Sequence, residues 1–395
     1  TLAGAHGGAS AATVRDANNE SAPVSAPQQS MPPSYAEQKR LQSQRRKLEK
    51  EERLLMEQIT QAEEQKALLE AELAKPEVYS DGEKSRSVQQ RIHKLDDDLL
   101  QLLGIPRCIL PDVKDSSCVY TTTDKNVCGF EVPIASVIGD QQAALFGQGC
   151  FNEGETKSTY GTGCFLLMHT GTKPVASSHK LLTTIALGIN GSVTYALEGS
   201  VFIGGALIKW LRDELGLIAA AHECDTLAET VSDSNDVIIV PAFTGLGAPY
   251  WDPYARGTIA GLTRGVNKAH ICRAALEAIA FQVKDELECM KEDAGCAIPT
   301  LKVDGGASVS NPMMQFQSDI LDTPVYRPKN VETTVTGAAF LAGLAVGVWH
   351  DKDELLGFWK MDKIFTPEME NKKRDALYAS WKRAVERAKG WAEKC

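Results

Sequence analysis

The sequence predicts an α/β domain that is preceded by an antiparallel pair of helices, and a change of composition along the chain carries this prediction. Residues 34–103 are rich in Glu, Lys, Arg, Gln and Leu, with one proline and one glycine. From residue 104 onward glycine becomes frequent, and short β-branched runs alternate with helical stretches. The 395-residue chain has a formal net charge of −10, which disfavours nonspecific binding to nucleic acid or anionic membranes unless basic residues cluster.

Three segments follow from this change of composition. Residues 1–33 are Ala, Gly, Ser and Pro with isolated charges, and we expect them to be a disordered linker. Residues 34–103 are expected to form a coiled-coil hairpin, and residues 104–395 the α/β domain. Because the first residue is Thr1 and not Met, we expect a fragment or a processed product. No run of 18 apolar residues occurs, so the sequence predicts no transmembrane helix and no membrane partner.

The predicted hairpin consists of two amphipathic helices. A heptad stripe marks the first helix, which begins at a capping box of Ser34 and Glu37, and the stripe is formed by Leu41, Leu48, Leu55, Ala62 and Leu69. The segment from Pro76 to Gly82 breaks the pattern, and a second stripe follows at Val88, Ile92, Leu95, Leu99 and Leu102. Basic residues cluster in the first helix: Lys39, Arg40, Arg45, Arg46, Lys47, Lys50 and Arg53. They indicate either a solvated face or a contact with nucleic-acid phosphates.

The ten cysteines form no C-x-x-C pair, which argues against a zinc site or a thioredoxin-like redox motif. The sequence therefore predicts reduced thiols, a cytoplasmic location and no metal site built from protein ligands alone.

Four glycine-centred segments are candidates for chemistry. Gly139-Asp140-Gln141-Gln142 follows an apolar run, so Asp140 is either a ligand-binding carboxylate at a sheet edge or a helix N-cap. Gly161-Thr162-Gly163 is either an ordinary hairpin turn or a turn that offers N–H groups to a phosphate. Gly204-Gly205 opens a helix, where glycine permits close approach of a ligand or tight packing. Val303-Asp304-Gly305-Gly306 ends a strand and suits a nucleotide held against the backbone.

From Gly104 to the C-terminus the sequence resembles the C-terminal half of the glycerol kinases, within the FGGY family of carbohydrate kinases. The matching stretches are GDQQAALFGQG at 139–149, STYGTGCFLLMHTG at 158–171, YALEGSVFIGGALIKWLRDE at 195–214, VPAFTGLGAPYWDPYARGTIAGLTRG at 240–265 and MQFQSDIL at 314–321. The resemblance implies an actin/hexokinase/Hsp70-like (RNase H-like) ATPase fold. It also implies glycerol and ATP as substrates, Mg²⁺ as cofactor, and a homo-oligomer formed through the kinase domain.

The resemblance assigns roles to particular residues. Asp140 would be the general base and a substrate ligand, with Gln141 and Phe165 as further substrate contacts. The nucleotide would be bound by Gly161, Thr162, Gly163, Gly205, Lys209, Gly306 and Ser310. Two positions depart from the family pattern: Lys209 stands where glutamine is frequent, and Ser310 stands where asparagine is frequent. Lys209 would either reach a phosphate or point to solvent.

Nothing in residues 1–103 resembles the N-terminal kinase domain that carries the first phosphate loop of this family. Residues 34–103 instead resemble the C-terminal coiled-coil hairpin of ABC-F ATPases, on the segments SYAEQKRLQSQRRKLEKEERLLMEQI and AKPEVYSDGEKS. The sequence thus leaves alternatives open. One is an ATP-dependent glycerol kinase that is inactive as this chain alone, and another is a non-catalytic fusion whose coiled coil binds protein or RNA. The abrupt junction at Leu103-Gly104 also fits a mis-joined gene product.

Overall fold

The computed structural model describes residues 46–47, 50, 53–62, 65–66, 68–69, 72 and 82–393. The predicted linker 1–33, the capping box at Ser34 and the turn at Pro76 lie outside the described residues. Tertiary contacts divide the chain into two units, Thr1–Asp112 and Val113–Cys395. The division therefore falls later in the chain than the junction at Leu103-Gly104. Within the described ranges, no helix combines the length and the apolar character that crossing a membrane requires.

The first unit contains helix α1, which spans Gly82–Leu102. Its buried Val88 packs with Leu69 of the preceding helical segment, and Ile92 and Leu95 flank this pair. Two ion pairs join the same segments: Lys66 Nζ lies 2.9 Å from Asp96 Oδ1, and Arg91 lies 3.2 Å from Glu72. Lys66 pairs with Asp96, whereas Glu72, which lies later in its segment, pairs with Arg91, which lies earlier in α1. The two segments therefore run antiparallel.

The heptad stripe is only partly buried in this unit. Leu69 is buried, whereas Leu55 is 40% exposed. If the register of the two ion pairs is extended, Leu55 lies opposite residue ~107 at 1.5 Å per helical residue. Helix α1 ends at Leu102, so Leu55 has no facing turn of α1 to pack against.

The second unit is an α/β domain. Its strands are β1 Ser117–Thr122, β2 Pro133–Ser136, β3 Thr156–Tyr160, β4 Cys164–Gly171, β5 Leu182–Ile189, β6 Ser192–Val201, β7 Ile238–Val240, β8 Thr258–Ala260, β9 Leu301–Asp304, β10 Val325–Pro328 and β11 Met361–Phe365. Its helices are α2 Lys125–Cys128, α3 Asp140–Gly147, α4 Gly205–Asp213, α5 Ala221–Ala228, α6 Lys268–Ala294, α7 Asn311–Leu321, α8 Thr333–Ala345, α9 Lys352–Leu356 and α10 Asn371–Ala388.

A seven-stranded mixed sheet organises this unit, in the order β11-β10-β9-β3-β4-β6-β5. Strand β9 runs parallel to β3 and β10, while the other neighbours are antiparallel. The main hydrophobic core lies between this sheet and the helices, with α6 at its centre. Helix α6 begins after a capping box at Asn267 and ends at Gly295, which has φ 64°.

The register of β3 and β4 separates two faces of the sheet. Thr159 pairs with Phe165 and Lys157 with Leu167, and paired residues point to the same side. We call the side that carries Lys157, Thr159 and Phe165 the acceptor face. Glu198 lies on the same face, because it pairs with Leu167. The opposite face carries Tyr160, whose neighbours belong to the core around α6.

Helices α3 and α8 cross in close contact. A Cβ on Gly337 of α8 would lie 1.8 Å from the Ala143 carbonyl oxygen of α3, and one on Gly147 would lie 2.1 Å from the Thr333 carbonyl oxygen. These two glycines therefore allow the helix backbones to touch. The crossing fixes the position of the first turn of α3, where Asp140 and Gln141 lie.

Candidate functional site

A cleft of about 590 Å³ lies at the end of β3, on the side of the sheet that faces α6. It is lined by six of the seven residues predicted to bind a nucleotide: Gly161, Thr162, Gly205, Lys209, Gly306 and Ser310. Gly163 is not among the lining residues. A Cβ at Gly163 would lie 2.4 Å from the Val201 carbonyl oxygen, so glycine is required there by packing against β6.

The walls of the cleft differ in character. One part is apolar, formed by Ile208, Leu276, Ile279, Val309 and Met313, as suits a planar heterocyclic base. The other part carries Lys209, Arg212 and His222, and Lys209 is exposed to solvent. Basic side chains beside an apolar slot fit a ligand that joins a base to negatively charged groups.

Glycine backbone forms the floor of this cleft. A Cβ built on Gly306 would meet no atom within 4 Å, so a ligand has free access to the backbone there. A Cβ on Gly205 would lie 2.7 Å from the Gly161 carbonyl oxygen. The amides of Gly205 and Ala206 donate to the carbonyls of Gly161 and Thr162, at 2.9 Å and 3.0 Å. The first amides of α4 are thus used to hold the β3–β4 turn in place.

Ser310 is placed at the cleft but its hydroxyl is already engaged. It donates to Asp225 Oδ1 over 2.7 Å and accepts from the Met313 amide at 3.3 Å, as the N-cap of α7. Burial raises the pKa of the Asp225 carboxyl, and the Ser310 hydrogen bond opposes that rise. Ser310 therefore anchors α7 and α5 around the cleft.

The three residues predicted to bind the phosphoryl acceptor lie together on the acceptor face. Asp140 is the first residue of α3 and is exposed, and its Oδ1 accepts from the Gln141 amide at 2.8 Å. Gly139, and not Asp140, occupies the N-cap position of α3, so the interpretation of Asp140 as an N-cap is wrong. Gln141 and Phe165 are both half-buried.

A fully buried lysine connects this group. Lys157 Nζ donates to Gln141 Oε1, to Thr159 Oγ1 at 2.9 Å and to the Phe165 carbonyl at 3.1 Å. Burial lowers the pKa of Lys157 to about 8, against the opposing fields of Asp304, Glu198 and Asp140. The lysine therefore holds two predicted substrate contacts, Gln141 and Phe165, in one arrangement.

Comparison with known proteins shows what the chain is similar to. Residues 156–346 match the C-terminal domain of the FGGY family of carbohydrate kinases. The glycerol kinase of Petrotoga mobilis is 59% identical over 300 residues, which cover 76% of this chain and 60% of that protein. The glycerol kinase of Thermoanaerobacter sp. (strain X514) is 58% identical over 311 residues, 78% of this chain and 63% of that protein. Residues 156–346, just under half of the chain, therefore match an FGGY C-terminal domain.

Solved structures show the same fold. A structure of Plasmodium falciparum glycerol kinase with ADP superposes on the chain with a TM-score of 0.69 at 38% identity, covering 74% of this chain and 59% of that one. A ligand-bound xylulose kinase from Lactobacillus acidophilus gives a TM-score of 0.63 at 24% identity, covering 74% of this chain and 59% of that one. The FGGY domain thus has the actin/hexokinase-like fold. The chain spans about 60% of the length of the curated relatives it matches.

Three charged residues near the site were not predicted as site residues: Lys157 and Asp304, which are buried, and Glu198, which is half-buried. Besides Lys157, Asp304 accepts from Gln148 and Thr333, each at 2.7 Å, and burial raises the pKa of its carboxyl. Burial likewise raises the pKa of Glu198. Asp304 stands inside a motif that the sequence singles out for its glycines, but a lysine in the strand TKSTY is typical of an exposed edge.

The side chains of the described residues suit Mg²⁺ only when it binds together with a nucleotide. In the described part of the chain, no group of three His, Cys, Asp or Glu side chains could hold a metal ion. Mg²⁺ is often bound through one or two carboxylates together with substrate phosphates, so Mg²⁺ would bind here together with a nucleotide.

Proposed function

We propose that this chain supplies the nucleotide-binding half and the general base of an ATP-dependent glycerol kinase, which forms glycerol 3-phosphate. The observation that carries the proposal is the placement of the predicted nucleotide residues around one cleft, with the predicted acceptor residues on the opposite face of the same hairpin. The turn Gly161–Gly163 joins the two faces, so a phosphoryl group at the turn is within reach of both.

Each residue has a part in this proposal. Phosphoryl transfer needs in-line positioning, neutralisation of charge and a carboxylate that accepts the hydroxyl proton. Asp140 accepts that proton, while Gln141 and Phe165, held by Lys157, orient the acceptor. Thr162 and the adjacent glycine backbone bind the phosphates, and Lys209 neutralises their charge. Mg²⁺ would supply further neutralisation when bound with the nucleotide.

Some parts of the proposal concern the protein as a whole. The sequence resemblance places the first phosphate loop in an N-terminal kinase domain that residues 1–103 do not resemble, so we propose that the chain alone is inactive. Every cysteine that the structure describes is a free thiol, which supports a cytoplasmic location. Assembly through the kinase domain, and binding of protein or RNA by the hairpin, remain predictions.

Binding of ADP to the full chain tests the nucleotide part. Because Gly306 faces open space in the cleft, Gly306→Val should fill the ligand's place without disturbing the fold. We expect calorimetry to show weak binding by the native chain and at least a tenfold loss, about 1.4 kcal/mol, in the variant. Gly265→Val is the matched control, since its Cβ would also meet no atom closer than 3.7 Å and it lies outside the cleft. Equal affinities for all three proteins would refute the assignment of the cleft.

Formation of glycerol 3-phosphate from ATP and glycerol tests the acceptor part. We expect turnover near background for the native chain and for Asp140→Asn, because only one wall of the site is present. A turnover of ~1 s⁻¹ or more that falls ~10²–10⁴-fold in Asp140→Asn would show that the chain is active by itself and would support the base. Turnover that survives the substitution would remove Asp140 from that role.

A further inference from the structure

A second cavity, of about 180 Å³, lies between the start of α8 and the segment that joins α9 to β11. Three aromatic side chains line it, Phe340, Phe358 and Trp359, together with two lysines, Lys329 and Lys360. The described residues around this aromatic cavity include no carboxylate. A wall of rings with an excess of positive charge suits a ligand that combines a ring with negative charge.

The aromatic wall is held in place before any ligand binds. Trp359 Nε1 donates to Gln148 Oε1 at 3.0 Å, and Lys302 Nζ lies 5.7 Å from the centroid of the Trp359 ring. The ring centroids of Phe340 and Phe358 are 6.3 Å apart. Phe358 is nevertheless 55% exposed, so a ligand in the cavity would remove apolar surface from water. A cavity of about 150 Å³ can hold benzene, so this one has room for a single ring.

The two lysines supply a charge that no described carboxylate compensates. Of the nearby cations, Arg327 is paired with Asp362 over 2.8 Å. Lys329 and Lys360 are both exposed, and within the described residues neither forms an ion pair. Their backbones are neighbours, since the Lys329 amide donates to the Lys360 carbonyl at 2.8 Å. Two adjoining ammonium groups attract a phosphate group more strongly than one does, and lysine binds phosphate as a point charge.

The aromatic cavity is separate from the proposed nucleotide cleft but is connected to it. The two share no lining residue. Thr333, which lines the aromatic cavity, donates to Asp304 Oδ2 at 2.7 Å. The Gly305 amide donates to the Val331 carbonyl at 3.2 Å. A ligand in the aromatic cavity therefore contacts the segment that supports the floor of the cleft at Gly306.

We propose that the aromatic cavity binds a compact organic anion, in which one planar ring carries a phosphate group. The ring lies against Phe340, Phe358 and Trp359, and the phosphate remains at the rim with Lys329 and Lys360. The proposal does not depend on nucleotide binding, because the lining residues of the two sites are different.

Titration of the full chain with phenyl phosphate, at low ionic strength and without nucleotide, tests the proposal. Ligand-observed NMR is suited to the dissociation constant that we expect, about 1 mM. Phenol and inorganic phosphate are titrated separately, because each carries one half of the probe. Both should bind roughly fivefold more weakly than phenyl phosphate or worse, since each makes only part of the contacts.

Two variants locate the binding. Lys329→Gln/Lys360→Gln removes both charges, and Phe358→Ala removes an exposed part of the aromatic wall. Each should weaken binding of phenyl phosphate roughly fivefold or more. The matched controls change residues outside the cavity and should bind as the native chain does. They are Lys125→Gln/Lys173→Gln, at two exposed lysines, and Phe130→Ala, at a phenylalanine 58% exposed.

Each outcome supports or overturns the proposal. Absence of binding at about 10 mM phenyl phosphate would overturn it. Equal affinity in the native chain and in both cavity variants would place the probe elsewhere and would also overturn it. Phenol or inorganic phosphate that binds as tightly as phenyl phosphate would show that ring and charge are not recognised together, with the same consequence. Absence of ADP binding would contradict the proposed function alone, since these titrations contain no nucleotide.

Discussion

The two faces of the β3–β4 hairpin are built on different principles. The face towards α6 is apolar, with Tyr160 and Leu166 fully buried in the main core and a cleft shaped by glycine backbone. The acceptor face is organised by Lys157, which is as fully buried but is satisfied by three hydrogen-bond acceptors. Backbone shape thus forms the proposed nucleotide side, whereas buried charge arranges the proposed acceptor side.

Each face also holds a buried group whose pKa is displaced, and the two compared here are Lys157 and Glu286. Lys157 belongs to the acceptor face, and burial lowers its pKa to about 8. Glu286 of α6 belongs to the other face, and burial raises its pKa to about 9. Glu286 Oε2 lies against Gly199 of β6, where a Cβ would be 2.7 Å away, and it has no hydrogen-bond partner within the described residues. The two groups should therefore give the stability opposite dependences on pH.

The larger expected effect belongs to Glu286. Its pKa is raised from 4.5 to about 9, so the folded chain keeps a proton that the unfolded chain releases. The stability that Glu286 contributes is present below pH 4.5 and is lost as the pH rises to about 9. Relative to Glu286→Gln, the native chain should lose roughly 3–6 kcal/mol of unfolding free energy over that range. Urea titrations followed by tryptophan fluorescence measure this.

Tryptophan fluorescence reports on one unit of the chain, and the chain also offers a matched control variant. All six tryptophans lie in the second unit, so their fluorescence reports on the FGGY domain. Glu292→Gln changes an exposed carboxylate on the same helix and should show no such trend. The free energies of unfolding of Glu286→Gln and the native chain are compared at pH 5 and pH 9, roughly the limits of the titration range. If their difference is the same at both pH values, Glu286 is solvated and the two faces do not differ in the way described.

The nucleotide face could be predicted from sequence to a large extent. Glycine motifs reflect a local requirement of the backbone, and Gly161, Gly205 and Gly306 line one cleft; that this cleft binds a nucleotide stays a prediction. The prediction was less complete at Gly163. The sequence allows either an ordinary turn or a phosphate-binding turn there, and only the packing against Val201 in the structure explains the glycine.

The acceptor face could not be predicted in the same way. Whether Lys157 is buried depends on β9, which enters the sheet beside β3 from far along the chain and brings Asp304 opposite Thr159. Short strand patterns do not encode such a neighbour. The exposure of Leu55 has a similar origin, because it is set by where α1 ends and not by the heptad stripe. The residues that were missed are those whose environment is created by distant segments.

The smaller expected effect belongs to Lys157 and has the opposite sign. Its pKa falls from 10.5 in the unfolded chain to about 8 in the folded one, so the unfolded chain binds the extra proton between these values. The stability that Lys157 contributes is present above pH 10.5 and is lost as the pH falls through about 8. Relative to Lys157→Met, the native chain should therefore gain roughly 3 kcal/mol between pH 7.5 and pH 10.5. The same fluorescence titrations measure it, and Lys173→Met, at an exposed lysine, should give no trend. A difference between the native chain and Lys157→Met that stays constant with pH would mean that water reaches the ammonium group, and that the acceptor face is not organised by a buried charge.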